Sequence, residues 1–123
     1  MTEPRRILVV DDDPSVLRVV TRMLRRMGFE VVSTTRPVEA LERVLDPRAA
    51  FACILTDVDM PELRGTELLR SVAAAGIELP AILMSGRLDD GSVGRQLLEK
   101  PFGDTELRRA LAQAGIAIDQ KKS

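Results

Sequence analysis

Five positions in this 123-residue chain carry side chains suited to chemistry: Asp11, Asp12, Asp57, Ser85 and Lys100. Each follows a short apolar run: Ile7 to Val10, Phe51 to Leu55, Pro80 to Met84, and Leu97-Leu98. If the chain folds so that these ends meet, two carboxylates about 4 Å apart repel by roughly 4 kcal/mol at an effective dielectric near 20, a large fraction of a small domain's stability. A cation must then offset them. With no histidine in the chain and its one cysteine inside an apolar run, hard oxygen ligands select Mg²⁺, with Mn²⁺ able to take its place. A metal, an ammonium and a hydroxyl around one carboxylate cradle three phosphoryl oxygens, with the carboxylate as nucleophile. The chemistry indicated is phosphoryl transfer to Asp57. Each residue also has a plainer reading: Asp57 ahead of Met60-Pro61 can simply end a strand, and an Asp before Pro14 is an ordinary helix cap. One cap does not account for three consecutive aspartates.

The elements that must position these residues follow from periodicity. Ile7 to Val10 and Phe51 to Leu55 are uninterrupted apolar runs, too short for typical helices, and read as strands covered on both faces. Phe29 to Ser33, Pro80 to Met84 and the segment holding Leu97 and Leu98 complete five strands. Between them, Ser15 to Met27 has a wide apolar arc and Gly28 as its stop; Pro37 to Leu45 is a second helix, and Thr66 to Ala75, stopped by Gly76, a third. From Arg87 to Gly94 no apolar period survives, and a loop is expected there. Asp104 opens a last helix running to about Ala114, and Ile116 to Ser123 reads first as a loosely ordered tail and alternatively as a short tail whose apolar Ile116-Ala117-Ile118 packs onto the domain or onto another copy. Strand alternating with helix implies a mainly parallel sheet whose carboxyl ends share one edge, where ligands gather in open α/β folds.

Composition bounds the rest. Length and a 45% hydrophobic content suit one domain, spanning 1–123 with a core of about 6–114 and a short tail over 115–123. Eighteen basic against 19 acidic residues give a net charge of −1, which supplies no general field for nucleic acid or membrane. Arg18, Arg22 and Arg25, at i, i+4 and i+7, form a basic stripe that reads first as a solvated face and alternatively as a docking face for an acidic partner. Cys53 is expected to be a reduced, buried thiol, which suits a cytoplasmic location, and no stretch approaches a signal peptide or a membrane span.

ILVVDDDP, ILTDVDMPELRG, ILMSG and LLEKPF together resemble, in order, the motifs of the receiver domain of two-component response regulators, over about residues 6 to 114. The resemblance implies a flavodoxin-like, doubly wound, five-stranded parallel sheet of strand order 2-1-3-4-5, with Asp57 phosphorylated by a sensor histidine kinase. It implies Mg²⁺ held by Asp11, Asp12, Asp57 and the backbone carbonyl of Asp59, phosphoryl contacts from Ser85 and Lys100, and a cis Lys100-Pro101 bond. Receivers signal by conformational change to a downstream protein target and act as phosphoacceptors with weak self-catalysis rather than as enzymes; a homodimer is compatible with the pattern. Two departures stand out. Ser85 and Lys100 lie closer together than in most receivers, so the fourth helix is expected to be missing or vestigial and replaced by a loop. Leu97 stands at the switch position three residues before the lysine, where an aromatic is usual, so the common coupling of that ring to Ser85 is in doubt.

Two other functions fit parts of the pattern. Asp57 and Asp59 mimic the nucleophile and acid/base pair of a haloacid dehalogenase-like phosphatase, but that family carries its nucleophile on the first strand. A receiver-shaped interaction module that is never phosphorylated would not need every site position filled. The chain reads either as a stand-alone receiver or as one belonging to a longer protein.

Overall fold

Alternation along the strands builds two cores rather than one. Ile7 and Val9 join one apolar cluster while Leu8 and Val10 join another, and all four are fully buried. Cys53 and Leu55 divide from Ile54 in the same way, as do Ile82 and Met84 from Leu83. Such a period of two with both faces covered defines a sheet sandwiched between helices.

The computed structural model describes residues 5–86 and 96–118. Its elements are β1 (Arg6–Val10), α1 (Pro14–Arg26), β2 (Glu30–Thr34), α2 (Pro37–Leu45), β3 (Phe51–Asp57), α3 (Gly65–Ala74), β4 (Ala81–Ser85), β5 (Gln96–Glu99) and α4 (Asp104–Gln113). All strand pairs are parallel, in the order β2-β1-β3-β4-β5. Leu17, Val20, Met23 and Leu24 of α1 pack with Leu107 and Leu111 of α4 on one face. Ala40 and Val44 of α2 pack with Leu68, Leu69 and Val72 of α3 on the other.

The sheet order is the expected one, but the expectation of a missing or vestigial fourth helix, replaced by a loop, is corrected. Among the described residues four complete helices are present, and the fourth in chain order, α4 at Asp104–Gln113, is the helix expected from Asp104. Its formation has local causes: Glu106 Oε1 accepts the Gly103 N–H at 2.9 Å, satisfying a donor that the helix start would leave unpaired, and Leu107, Ala110 and Leu111 supply a buried face. This helix lies after Lys100, so the short interval between Ser85 and Lys100 does not bear on it. The loop expected over 87–94 lies outside the described residues.

The end of the domain takes the second of its two expected forms. Ile116 is buried at 7% exposure in the cluster under α1 and α4, and Ile118 packs against it, so the first residues of the expected tail belong to the core. The Ile116 N–H donates to Leu111 O at 2.9 Å, folding the chain back over the helix end after Gly115, whose φ is +86°.

Candidate functional site

Parallel β1 and β3 end side by side, with Val10 in register with Thr56, so the residues just beyond them are neighbours. Asp11 is fully buried there and Asp57 is 6% exposed, whereas Asp12 is exposed. The three aspartates divide their work. Asp13 is the N-cap of α1, its carboxylate accepting the Ser15 N–H at 2.9 Å, with Pro14 at the first helical position. Asp11 Oδ1 accepts the Asp13 N–H at 2.9 Å, which fixes the turn and leaves Oδ2 aimed elsewhere. Carboxylate oxygens of Asp11, Asp12 and Asp57 lie within 4.8 Å of one another.

Lys100 enters this group from the far edge of the sheet. Its Nζ donates to Asp11 Oδ2 at 2.8 Å and to Asp57 Oδ1 at 3.0 Å. Two backbone ties place it: the Lys100 N–H donates to Ser85 O at 2.7 Å, and the Lys100-Pro101 bond is cis. Ser85 ends β4, is 1% exposed, and lies one residue beyond Met84, which is in register with Asp57. Strand register therefore brings Asp11, Asp57, Ser85 and Lys100 to one edge, although they span 90 residues of sequence.

The electrostatics are those of an under-compensated anionic pocket. Burial raises the Asp57 carboxyl above the usual carboxylate range; the hydrogen bond from Lys100 pulls it down, and the charge of Asp11 pushes it up again. Burial alone would lower the Lys100 ammonium, but its bonds to Asp11 and Asp57 outweigh that and raise it, so it stays cationic at neutral pH. Three carboxylates against one ammonium leave two negative charges and an all-oxygen donor set, which fits a hard divalent cation.

Asp59 and Leu97 sit apart from that group. The Asp59 side chain is 65% exposed and pairs with Arg64 at 3.5 Å, so its carboxylate is not placed as a phosphatase acid/base partner of Asp57. Leu97 is partly buried against the α2 and α3 cluster.

One positioning residue escapes sequence reasoning. A Cβ on Gly65, the first residue of α3, would collide with the backbone carbonyl of Asp57, and the Gly65 N–H donates to Val58 O at 2.9 Å. Only glycine lets α3 start this close to the end of β3. A glycine inside the first turn of a helix, where its backbone freedom is a cost, was its one signal.

Residues 7–112 match the response regulator receiver domain. Over 80 residues, 65% of the chain, it is 39% identical to the two-component response regulator ORR22 of Oryza sativa subsp. indica, and it spans 11% of that protein's length. The receiver domain of the sensor histidine kinase PA1611 from Pseudomonas aeruginosa PAO1, with a magnesium ion coordinated in its active site cleft, superposes with a TM-score of 0.80 at 28% identity, covering 92% of this chain and 99% of that one. The chemotaxis protein CheY4 of Vibrio cholerae gives a TM-score of 0.81 at 26% identity, covering 91% and 99%. Fold, acidic group and family match agree, and the chain belongs to the response regulator receiver domain family, the phosphoaccepting signalling domains of two-component systems.

Proposed function

We propose that Asp57 is the phosphoacceptor and that a histidine kinase is its donor. The observation that carries this reading is the Lys100 ammonium bound at once to Asp11 and Asp57 inside a three-carboxylate group. Asp57 attacks the phosphorus of a phosphohistidine; a new O–P bond forms as the P–N bond breaks, its electron pair leaving on the imidazole nitrogen. A carboxylate made more basic by burial is the better nucleophile, and Lys100 stands beside it to meet the negative charge on the transferring group. Ser85, at the end of the adjacent strand, is assigned a hydroxyl contact to a phosphoryl oxygen.

Asp11, Asp12 and Asp57 would hold Mg²⁺, with Mn²⁺ as a substitute, and the backbone carbonyl of Asp59 is the further ligand this reading assigns. When bound, the ion supplies positive charge against the phosphoryl oxygens. Likeness to receiver domains of the sensor histidine kinase PA1611 and of the hybrid histidine kinase CckA supports a kinase of that kind as partner; the downstream target would be a protein.

Incubation with phosphoramidate and Mg²⁺, followed by intact-mass measurement, tests the assignment. One phosphoryl group per chain is expected on the wild type and none on Asp57→Asn. Equal labelling of the two would overturn it.

A further inference from the structure

Among the described residues, the buried polar side chains are Asp11, Thr34, Thr56, Asp57 and Ser85. Asp11, Asp57 and Ser85 belong to the site. Thr34 is accounted for at the start of α2, where its hydroxyl donates to Glu39 Oε1 at 2.8 Å and accepts the Arg36 N–H at 3.1 Å. Thr56 is fully buried and has no such duty. It lies between Ile54 and Val58 on one side of β3 and in register with Val10 and Leu83, and all four belong to the apolar cluster under α2 and α3. Valine has the same shape and the same preference for strands with no polar group to bury, so a hydroxyl here needs both a partner and a reason.

The partner is the main chain of Asp57: Thr56 Oγ1 donates to Asp57 O at 3.1 Å. The ring closed by that bond contains φ and ψ of Asp57, the two torsions that set where its Cα–Cβ bond points. The same oxygen is the atom that a Cβ on Gly65 would strike, so it is held by a donor from β3 and walled in by the start of α3. The next residue is tied on both sides, its Val58 N–H donating to Met84 O at 3.0 Å and its carbonyl accepting the Gly65 N–H at 2.9 Å. By strand alternation the Asp57 carboxylate leaves on the face opposite Thr56, and there it meets Lys100. We propose that Thr56 is a positioning residue for phosphoryl transfer: its hydroxyl fixes the Asp57 backbone and, through it, the angle at which the carboxylate meets the phosphorus. This rests on the reading of Asp57 as phosphoacceptor. Attack on phosphorus tolerates little misdirection, and a misplacement of about 1 Å can cost on the order of 10²-fold in rate.

The test is the rate of phosphoramidate labelling at saturating Mg²⁺, followed by intact mass, in the wild type and three variants. Thr56→Val keeps the shape and drops the hydroxyl, whereas Thr56→Ser and Thr56→Ala both drop the methyl and differ only in the hydroxyl. The maximal rate is expected to fall about tenfold in Thr56→Val and Thr56→Ala, a fraction of the loss for a full ångström of error, and to stay within about twofold of wild type in Thr56→Ser. The half-saturating phosphoramidate concentration should move less than about twofold in all three, since the hydroxyl does not touch the donor. Should Thr56→Val not fold, the serine and alanine pair decides alone. Thr56→Val labelled as fast as wild type, or Thr56→Ser as slow as Thr56→Ala, would reduce Thr56 to packing and overturn the proposal while leaving Asp57 as phosphoacceptor. A wild-type chain that phosphoramidate cannot label would remove the phosphoacceptor reading, and the proposal with it.

Discussion

Lys100 Nζ sits 3.0 Å from Asp57 Oδ1, joining side chains 43 residues apart in sequence. Removing the cation leaves two buried carboxylates facing each other. Lys100→Met is therefore expected to lower stability in EDTA by about 2–3 kcal/mol, below the range for a fully buried pair because the lysine side chain is 23% exposed. Urea denaturation would show it, and excess Mg²⁺ should recover part of the loss. A variant as stable as wild type in EDTA would mean the pair is not holding the pocket together.

Gly65→Ala sets a methyl against the Asp57 carbonyl. Relief requires α3 to move away from β3, at a cost of about 1–3 kcal/mol. Thermal denaturation should report the loss, and beryllofluoride titration with Mg²⁺ should show weaker binding, because the displaced backbone carries the Asp57 carboxylate. Full binding in a destabilised variant would confine Gly65 to a packing role.

Cys53 is fully buried, and burial pushes its thiol up to about 12. Ellman's reagent at pH 8 should leave the native chain unmodified and titrate one thiol after denaturation. The folded pKa is the raised one, so the neutral thiol's contribution is complete below the ordinary value near 9.0 and is lost as pH climbs from there toward 12. Urea midpoints should accordingly decline over that window, and less so in Cys53→Ala once its own packing loss is subtracted.

Asp59 meets Arg64 at 3.5 Å in solvent, and such pairs contribute about 0–1 kcal/mol. Asp59→Asn should leave the melting temperature nearly unchanged while altering the decay rate of phosphorylated Asp57, measured by loss of the labelled mass over time. Identical decay in the two proteins would remove Asp59 from any part in hydrolysis.

The strands and the acids at their ends were legible because both follow from local rules: β-branched apolar runs make buried strands, and a parallel sheet must deliver their carboxyl ends to one edge. Asp11, Asp12, Asp57, Ser85 and Lys100 could be gathered on that basis before any coordinates. The last helix was legible from Asp104 and the apolar face of Leu107 and Leu111; the error was to count a fourth helix as missing from the interval between Ser85 and Lys100, when the helix capped at Glu106 is itself the fourth. Gly65 was illegible because its reason is a backbone atom eight residues upstream. Packing of Ile116 onto the domain was legible only as the second choice, because a short apolar run past a helix stop gives no sign of what it will lean on.

Of the pocket's charged members, Asp57 ends a strand paired on both sides and Asp11 follows another, whereas Lys100 hangs from β5, which borders β4 alone. The site's carboxylates therefore stand on interior strands, and the one ammonium group that meets them is delivered from the rim of the sheet.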